Sequence, residues 1–257
     1  MGKKRLLIIG DTIIDHDVYL NAIGLSLESP TLKTVFQKEK HNFGGAANVA
    51  RYAFFFGADV TFISSLTEVM AQCFMVENSI QLLNVKANSD TIKTRNYISK
   101  GDREYNYLQI NRVNDTACGI EFIENIQFNS FDVVAISDYR CGFLTKSVVE
   151  KIRQKSTILY AASQLSDKNP NYDLYGTADF LVCNVNESKY LNNVRNVFIT
   201  HGDKGCSFNG VTYPGNPVKV ARTIGAGDVF FAALLASGSP KIANDAASSF
   251  VAGEIQC

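Results

Sequence analysis

The sequence predicts an α/β fold in which a mainly parallel β-sheet is covered by helices. Short apolar runs of strand length alternate with segments of helical periodicity along most of the 257 residues. This alternation is typical of parallel strands joined by crossover helices. Two polar, β-leaning segments interrupt the pattern and predict a second, smaller sheet beside the main one. The length suits one large domain with a sizeable core.

Six apolar runs are the predicted core strands, and two apolar segments are predicted helices. The strands are residues 5–10, 59–64, 131–137, 156–162, 179–184 and 196–200, and the helices are residues 46–56 and 228–238. Ligands of such sheets gather at the carboxyl ends of the strands. Polar residues that directly follow these strands are therefore the first candidates for a functional site.

The two polar segments predict a small β-sheet lid. Its strands are expected from about residues 16–43 and 90–113, the second segment forming a hairpin around Gly101 and Asp102. We find no internal repeat and no Pro/Gly linker, so residues 1–257 are expected to form a single domain that carries this lid.

Composition argues against several classes of partner. The chain has 25 basic and 25 acidic side chains and no basic block, which disfavours nucleic acid and membrane surfaces. The apolar run at residues 6–9 is too short for a secretion signal, and no stretch approaches the length of a membrane span. The six cysteines are scattered, without the spacing of a zinc site. We therefore expect a reduced, cytoplasmic protein without disulfides or structural zinc.

Gly225, Ala226, Gly227 and Asp228 open an apolar helix. Glycines let backbone N–H groups turn toward one point, and a helix start carries positive partial charge, so the segment suits an anion such as phosphate. An aspartate beside a bound anion is explained if it takes a proton from a group that attacks the phosphate. The alternative is a helix start whose glycines permit close packing and whose aspartate caps the first turn.

A second candidate region follows the first strand and precedes the first helix. Gly44 and Gly45 open that helix, and the amide of Asn48 in its first turn suits a hydroxyl-rich ligand. Asp11 and Asp15 closely follow the first strand, where carboxylates commonly bind sugar hydroxyls. The alternatives are an ordinary glycine-rich turn and a pair of solvated acids.

Two further segments follow later strands. Asn184 and Glu187 are three residues apart, so both can face one site and hold a hydrated Mg²⁺ ion. The competing interpretation is a capping box, which does not exclude the first. Thr200, Gly202 and Gly205 either form a plain hairpin or provide the floor of a nucleotide site.

Taken in order, these segments resemble the ribokinase/phosphofructokinase-B family of carbohydrate kinases over nearly the whole chain. Within that family the chain is most similar to heptose 7-phosphate kinases. The narrower resemblance depends on "GDTIIDHDVYL", "SLESPTLKTV", "GGAANVA", "TIKTR" and "SDYRCGFLT". The family motifs are G-D-x-x-x-D at 10–15, G-G-A-A-N-V-A at 44–50, S-D-Y at 137–139, N-x-x-E at 184–187, T-x-G-x-x-G at 200–205 and G-A-G-D at 225–228.

The resemblance implies a three-layer α/β/α core with a β-lid, ATP-dependent transfer to a sugar hydroxyl, and dimerisation through the lid. It implies that Asp228 is the base and that the amides of Gly225, Ala226 and Gly227 form an anion hole. The other implied roles are sugar binding by Asp11, Asp15, Gly44, Gly45 and Asn48, substrate phosphate binding by Lys93 and Arg95, Mg²⁺ binding through water by Asn184 and Glu187, and ATP binding by these two residues with Thr200, Gly202 and Gly205.

Several positions depart from the family pattern. Arg222 stands where the family usually has an acid, so activation by monovalent cations is not expected, and Cys141 stands where heptose kinases tend to have a lysine. Relatives also usually continue for a further strand or helix beyond "FVAGEIQC". The sequence leaves two alternatives to a heptose phosphate kinase: a kinase for another small sugar or a nucleoside, and a non-catalytic sugar-binding relative.

Overall fold

The computed structural model describes residues 2–100, 103–164, 174–191 and 194–256, and its elements follow the predicted alternation. The helices are α1 (Ala46–Phe55), α2 (Glu68–Glu77), α3 (Ile120–Glu124), α4 (Lys146–Lys155), α5 (Ala226–Ser237) and α6 (Pro240–Val251). The strands are β1 (Arg5–Gly10), β2 (Thr12–Leu25), β3 (Leu32–Gly45), β4 (Asp59–Leu66), β5 (Gln81–Lys86), β6 (Ile92–Lys100), β7 (Arg103–Arg112), β8 (Val133–Asp138), β9 (Leu159–Ser163), β10 (Phe180–Asn184), β11 (Val197–Thr200), β12 (Cys206–Phe208) and β13 (Val211–Tyr213).

The larger sheet has nine strands in the order β13-β12-β11-β10-β9-β8-β1-β4-β5. Seven neighbouring strands, from β11 to β5, run parallel, and β12 and β13 add an antiparallel edge. All six predicted core strands lie in this sheet. The ribokinase-like α/β fold class expected from the sequence is confirmed.

Two apolar cores cover the two faces of this sheet, as β1 shows. Leu6 and Ile8 pack on one face with side chains of α1, α5 and α6, whereas Leu7 and Ile9 pack on the other face with α3 and α4. All four are fully buried, which explains why the strand is apolar throughout. The molecule therefore has three layers, with the sheet between two layers of helices.

The second sheet has four strands in the order β3-β2-β6-β7 and corresponds to the expected lid. β2 pairs antiparallel with β3 and parallel with β6, and β6 pairs antiparallel with β7. The predicted turn at Gly101 and Asp102, between β6 and β7, lies outside the described residues. No helix in the described part of the chain is long and apolar enough to cross a membrane.

Candidate active site

Four parallel strands, β8 to β11, end at one edge of the large sheet, and the residues around their ends line a cavity of about 160 Å³. The first turn of α5 completes the wall. This is the edge at which ligands of parallel sheets collect. The lining includes Tyr139, Asn184, Glu187, Thr200, Gly227 and Asp228. Candidate residues from three separate segments of the sequence therefore surround one space.

At the start of α5, residue 225 must be glycine for two reasons, its backbone angle and the lack of space beside it. Gly225 has a φ of 92°, in the left-handed region, and a Cβ there would lie 3.3 Å from the Asn48 amide nitrogen. Beside Gly227 a Cβ would meet nothing within 4 Å, so the helix start faces open space. The N–H of Ala226, however, donates to the carbonyl of Thr223 at 3.2 Å. In this conformation the expected three-amide anion hole is therefore reduced, because a turn already uses one amide.

Asp228 lies in the first turn of α5, and both of its carboxylate oxygens accept hydrogen bonds. Asn48 Nδ2 donates to one oxygen at 3.0 Å, and the Tyr139 hydroxyl donates to the other. Burial raises the pKa of Asp228 to about 6, although these two hydrogen bonds act in the opposite direction. Burial and the Asp228 charge also raise the pKa of Tyr139, so the phenol keeps its proton. A carboxylate with this pKa is suited to general-base chemistry near neutral pH.

Asp11 positions the loop that carries Tyr139. The side chain is 3 % exposed, and its oxygens accept from the backbone N–H groups of Tyr139 at 2.8 Å and Phe143 at 3.3 Å. Burial, reinforced by neighbouring Asp138, raises the pKa of Asp11. We expected Asp11 to bind sugar. In the structure its oxygens instead accept hydrogen bonds from the backbone of this loop.

The lid places Asp15 next to basic side chains. Arg95 Nη1 lies 2.9 Å from an oxygen of Asp15 and 3.3 Å from one of Asp17. Burial raises the pKa of both Asp15 and Asp228, and the nearby positive charge of Lys93 partly opposes this rise at each carboxyl. Within the described part of the chain, Lys93 makes no ion pair. We expected Lys93 and Arg95 to have the same role. Their surroundings differ, because two carboxylates already balance the charge of Arg95.

Gly44 and Gly45 allow the lid to meet the first helix closely. A Cβ at Gly44 would lie 2.3 Å from an Asp15 oxygen, so only glycine leaves room for that carboxylate. Gly45 has a φ of 65°, and a Cβ there would lie 2.5 Å from the carbonyl oxygen of Asp11. α1 begins directly afterwards and places Asn48 beside Asp228.

Asn184 and Glu187 form the capping box that the sequence left open as an alternative. The Glu187 carboxylate accepts from the Asn184 N–H at 2.7 Å, and the Asn184 side-chain oxygen accepts from the Glu187 N–H at 3.0 Å. The pair holds the short helical turn Glu187–Tyr190 at the end of β10. Both residues also line the cavity, and their oxygens are the donors that Mg²⁺ prefers. The donor set therefore fits a hydrated Mg²⁺ ion as well.

Thr200, Gly202 and Gly205 lie where β11 turns into β12, so the hairpin interpretation describes their backbone. The Thr200 hydroxyl donates to the Cys183 carbonyl at 3.4 Å, and Thr200 also lines the cavity. Gly205 has a φ of 92°, and a Cβ there would lie 2.2 Å from the carbonyl oxygen of Tyr213. Gly205 is therefore required for the close approach of β13.

Arg222 ties the segment before α5 to the end of α6. Its guanidinium donates to the carbonyls of Phe250, at 3.1 Å, and Ile255, and its carbon Cζ lies 3.8 Å from the centre of the Phe250 ring. Such a contact combines hydrogen bonds with a cation–π interaction. The departure at Arg222 thus has a structural explanation, since the cation is held by neighbouring carbonyls and an aromatic ring. At Cys141, burial raises the thiol pKa to about 12, so the thiol stays neutral where relatives tend to have a lysine.

Two residues outside the predicted site list belong to this arrangement. Tyr139 contacts Asp228 directly, and its S-D-Y motif was recognisable in the sequence without showing where the hydroxyl points. Asp17 shares Arg95 with Asp15, and its position two residues further along the same strand could have indicated that both carboxylates face the same side.

Parts of the chain are similar in sequence to known proteins. Residues 185–239 match the model of the pfkB family of carbohydrate kinases. "Bifunctional protein HldE" of Nitratiruptor is 29 % identical over 61 % of this chain and 35 % of that protein, and HldE of Bradyrhizobium diazoefficiens is 27 % identical over 96 % and 59 %. The chain thus spans between about a third and three fifths of the length of these relatives.

The fold is shared with solved structures of the ribokinase family. The crystal structure of ribokinase from Thermotoga maritima superimposes with a TM-score of 0.71 at 18 % identity, over 96 % of this chain and 92 % of that one. The family match begins directly after Asn184 and includes Glu187, Thr200 and the G-A-G-D segment, which line part of the cavity. Residues 185–239 thus resemble the pfkB family of carbohydrate kinases, and the chain shares its fold with ribokinase.

Proposed function

We propose that this kinase uses ATP and Mg²⁺ to phosphorylate a hydroxyl of a heptose 7-phosphate-like sugar, in the synthesis of surface polysaccharide. The single observation that carries the proposal is the Asp228 carboxylate. Its pKa is raised to about 6, and it stands between the lid and the cavity at a glycine-rich helix start. The narrower sequence resemblance to heptose 7-phosphate kinases supports the choice of sugar.

Asp228 is the proposed general base. At neutral pH most of the carboxylate is ionised, and each of its oxygens has the capacity for a second hydrogen bond beyond those from Asn48 and Tyr139. A sugar hydroxyl that donates to Asp228 is held for in-line attack and loses its proton to the carboxylate as the new O–P bond forms. The open helix start beside Gly227 stabilises the negative charge of the transferred phosphoryl group.

The remaining residues bind and orient. Asp15, held by Arg95 and given room by Gly44, accepts hydrogen bonds from sugar hydroxyls, and Lys93 binds the phosphate that the acceptor already carries. Asn184, Glu187 and Thr200 lie along the nucleotide side of the cavity. When bound there, Mg²⁺ neutralises charge on the ATP phosphates. We also propose a homodimer through the lid, which the exposed apolar side chains of Val35, Phe36, Leu108 and Ile110 support.

ADP release tests the proposal. We would supply ATP and Mg²⁺ with a panel of acceptors that includes heptose 7-phosphates, the matching free heptoses, other sugar phosphates and nucleosides. The proposal predicts preferred turnover of a heptose 7-phosphate. Preference for another acceptor would assign the kinase to that sugar or nucleoside. Sugar binding without ADP release from any acceptor would contradict catalysis and favour a non-catalytic sugar-binding role.

A further inference from the structure

A second group of ionisable side chains lies on the lid, away from the face that holds Asp15. His16 on β2 pairs directly with His41 on β3, and Glu39 precedes His41 by two residues on the same strand. Successive side chains of a strand point to opposite faces of a sheet. His16 therefore points away from the Asp15 and Asp17 carboxylates, and the group belongs to a site separate from the cavity.

The three side chains bring their ligand atoms together. His16 Nε2 lies 2.9 Å from Glu39 Oε2, and His41 Nε2 lies 3.9 Å from Glu39 Oε1. One nitrogen or oxygen from each side chain lies within 4.8 Å of the others. The Thr94 hydroxyl is 3.4 Å from Nδ1 of His16, on the far side of the ring. This contact orients the ring so that Nε2 faces Glu39, as outer partners orient histidines at metal sites.

We propose that His16, Glu39 and His41 bind one divalent transition-metal ion of the zinc class. Two imidazole nitrogens and a carboxylate oxygen form a donor set that suits Zn²⁺. Mg²⁺ instead prefers oxygen ligands in octahedral geometry, so this site is chemically distinct from the one proposed at Asn184 and Glu187. The metal ion takes the place of the proton that links His16 to Glu39 in the present arrangement.

Binding requires the two imidazole rings to rotate about their side-chain torsions. The two imidazole rings are stacked with their centres 4.2 Å apart, and an ion bound in the plane of both rings requires them to tilt toward one another. Ligand atoms around a tetrahedral Zn²⁺ ion are about 3.4 Å apart, so the 3.9 Å separation of His41 and Glu39 shortens on binding and the 2.9 Å separation of His16 and Glu39 widens. Exposed fractions of 21 % for His16, 48 % for Glu39 and 51 % for His41 leave room for this movement and for a water ligand.

The ion would join β2 to β3 beside the proposed sugar-binding strand. Asp15 precedes His16 on β2, and Gly44, which contacts the Asp15 carboxylate, lies three residues beyond His41 on β3. A metal bridge between the paired histidines therefore ties together the two strands that carry this contact. We expect the bound ion to slow amide hydrogen exchange in β2 and β3 relative to the rest of the lid.

Isothermal titration of the full chain with Zn²⁺ tests the proposal. The titration is run in excess Mg²⁺, which occupies oxygen-only sites, and after alkylation of accessible thiols, which removes cysteine as a competing ligand. We expect one ion per chain with micromolar affinity. His16→Gln and His41→Gln should each weaken binding by about 10-fold or more. His201→Gln is the matched control, because His201 bonds to Ser207 in the large sheet, and it should bind as the wild type does.

Binding that is equal in wild type, His16→Gln and His41→Gln would overturn the proposal, as would the absence of any micromolar site. Circular dichroism shows whether each variant keeps its fold. A Glu39→Gln variant, which keeps the size of the side chain, provides a further test if a histidine variant does not fold. These measurements need neither ATP nor sugar, so their outcome is independent of the proposed kinase reaction.

Discussion

The side-chain amide of Asn48 donates a 3.0 Å hydrogen bond to the carboxylate of Asp228, although the two residues are 180 positions apart in the sequence. The contact joins the first turn of α1 to the first turn of α5. Gly225 makes it possible, since a side chain there would press against the Asn48 amide. Two glycine-rich helix starts are thus assembled around one carboxylate.

Activity should depend on pH through the ionisation of Asp228. Only the ionised carboxylate accepts a proton, and its pKa is raised to about 6, so we expect kcat/KM to fall below a pH of about 6. Asn48→Ala removes a hydrogen bond that lowers this pKa, so its acid limb should move to higher pH. A pH–rate profile of both proteins measures this. An acid limb near the ordinary aspartate value, or a shift toward lower pH in the variant, would contradict the assignment.

Gly225→Ala should damage both stability and catalysis. An alanine at a φ of 92° costs about 1–3 kcal/mol in the free energy of unfolding. The new Cβ would also press on the Asn48 amide and the Phe250 ring, both at 3.3 Å, so we expect kcat to fall as well.

Gly238→Ala is the matched control for that variant. Gly238 ends the same helix with a φ of 71°, but a Cβ there meets nothing within 4 Å. We expect a similar loss of unfolding free energy in chemical denaturation, with kcat unchanged. Equal kcat in both variants would show that close packing at Gly225 does not matter for the reaction.

Arg222 should act as a positioning residue for the start of α5. Arg222→Ala removes the bonds to the Phe250 and Ile255 carbonyls, and Arg222→Lys keeps the charge without the planar fork that stacks on the ring. We expect both variants to lower kcat with little change in the KM for sugar, and to lower the free energy of unfolding by about 1–3 kcal/mol. Full activity in the lysine variant would show that charge alone is sufficient. Arg5→Ala, which breaks an exposed ion pair with Asp132, is the control and should have no effect on kcat.

Lys93 and Arg95 should differ in their effect on acceptors. Loss of a charged hydrogen bond costs about 1.5–3 kcal/mol, so Lys93→Gln should raise the KM for a sugar phosphate by about 10- to 150-fold and leave the matching free sugar unaffected. Arg95→Gln should impair the reaction with both acceptors, because Asp15 and Asp17 lose the arginine that they share. Steady-state kinetics with the paired acceptors measures both effects. The reverse pattern would assign the phosphate contact to Arg95.

Much of the fold was predictable from local patterns. The six apolar runs form strands of the large sheet, where most of their residues are buried, and the two polar segments form the lid, where most residues are exposed or only partly buried. The short edge strands β12 and β13 contain three residues each, too few for periodicity to identify.

The sequence predicted which residues form the site better than it predicted how those residues contact one another. The sequence identified Asp228 and Asn48 but could not show their hydrogen bond, which depends on how α1 and α5 pack. It treated Lys93 and Arg95 alike, since pairing with Asp15 and Asp17 arises from strand register. His16 and His41 are 25 positions apart, and only the pairing of β2 with β3 brings them together.

The central claim is that Asp228 removes the proton from the attacking sugar hydroxyl. Asp228→Asn keeps the size of the side chain and one accepting oxygen, but its NH₂ group cannot accept that proton, so we would measure its single-turnover rate with saturating ATP, Mg²⁺ and the preferred acceptor. We expect a rate about 10²- to 10⁴-fold below that of the wild type, with unchanged ATP affinity and an intact fold. A rate near that of the wild type would contradict it.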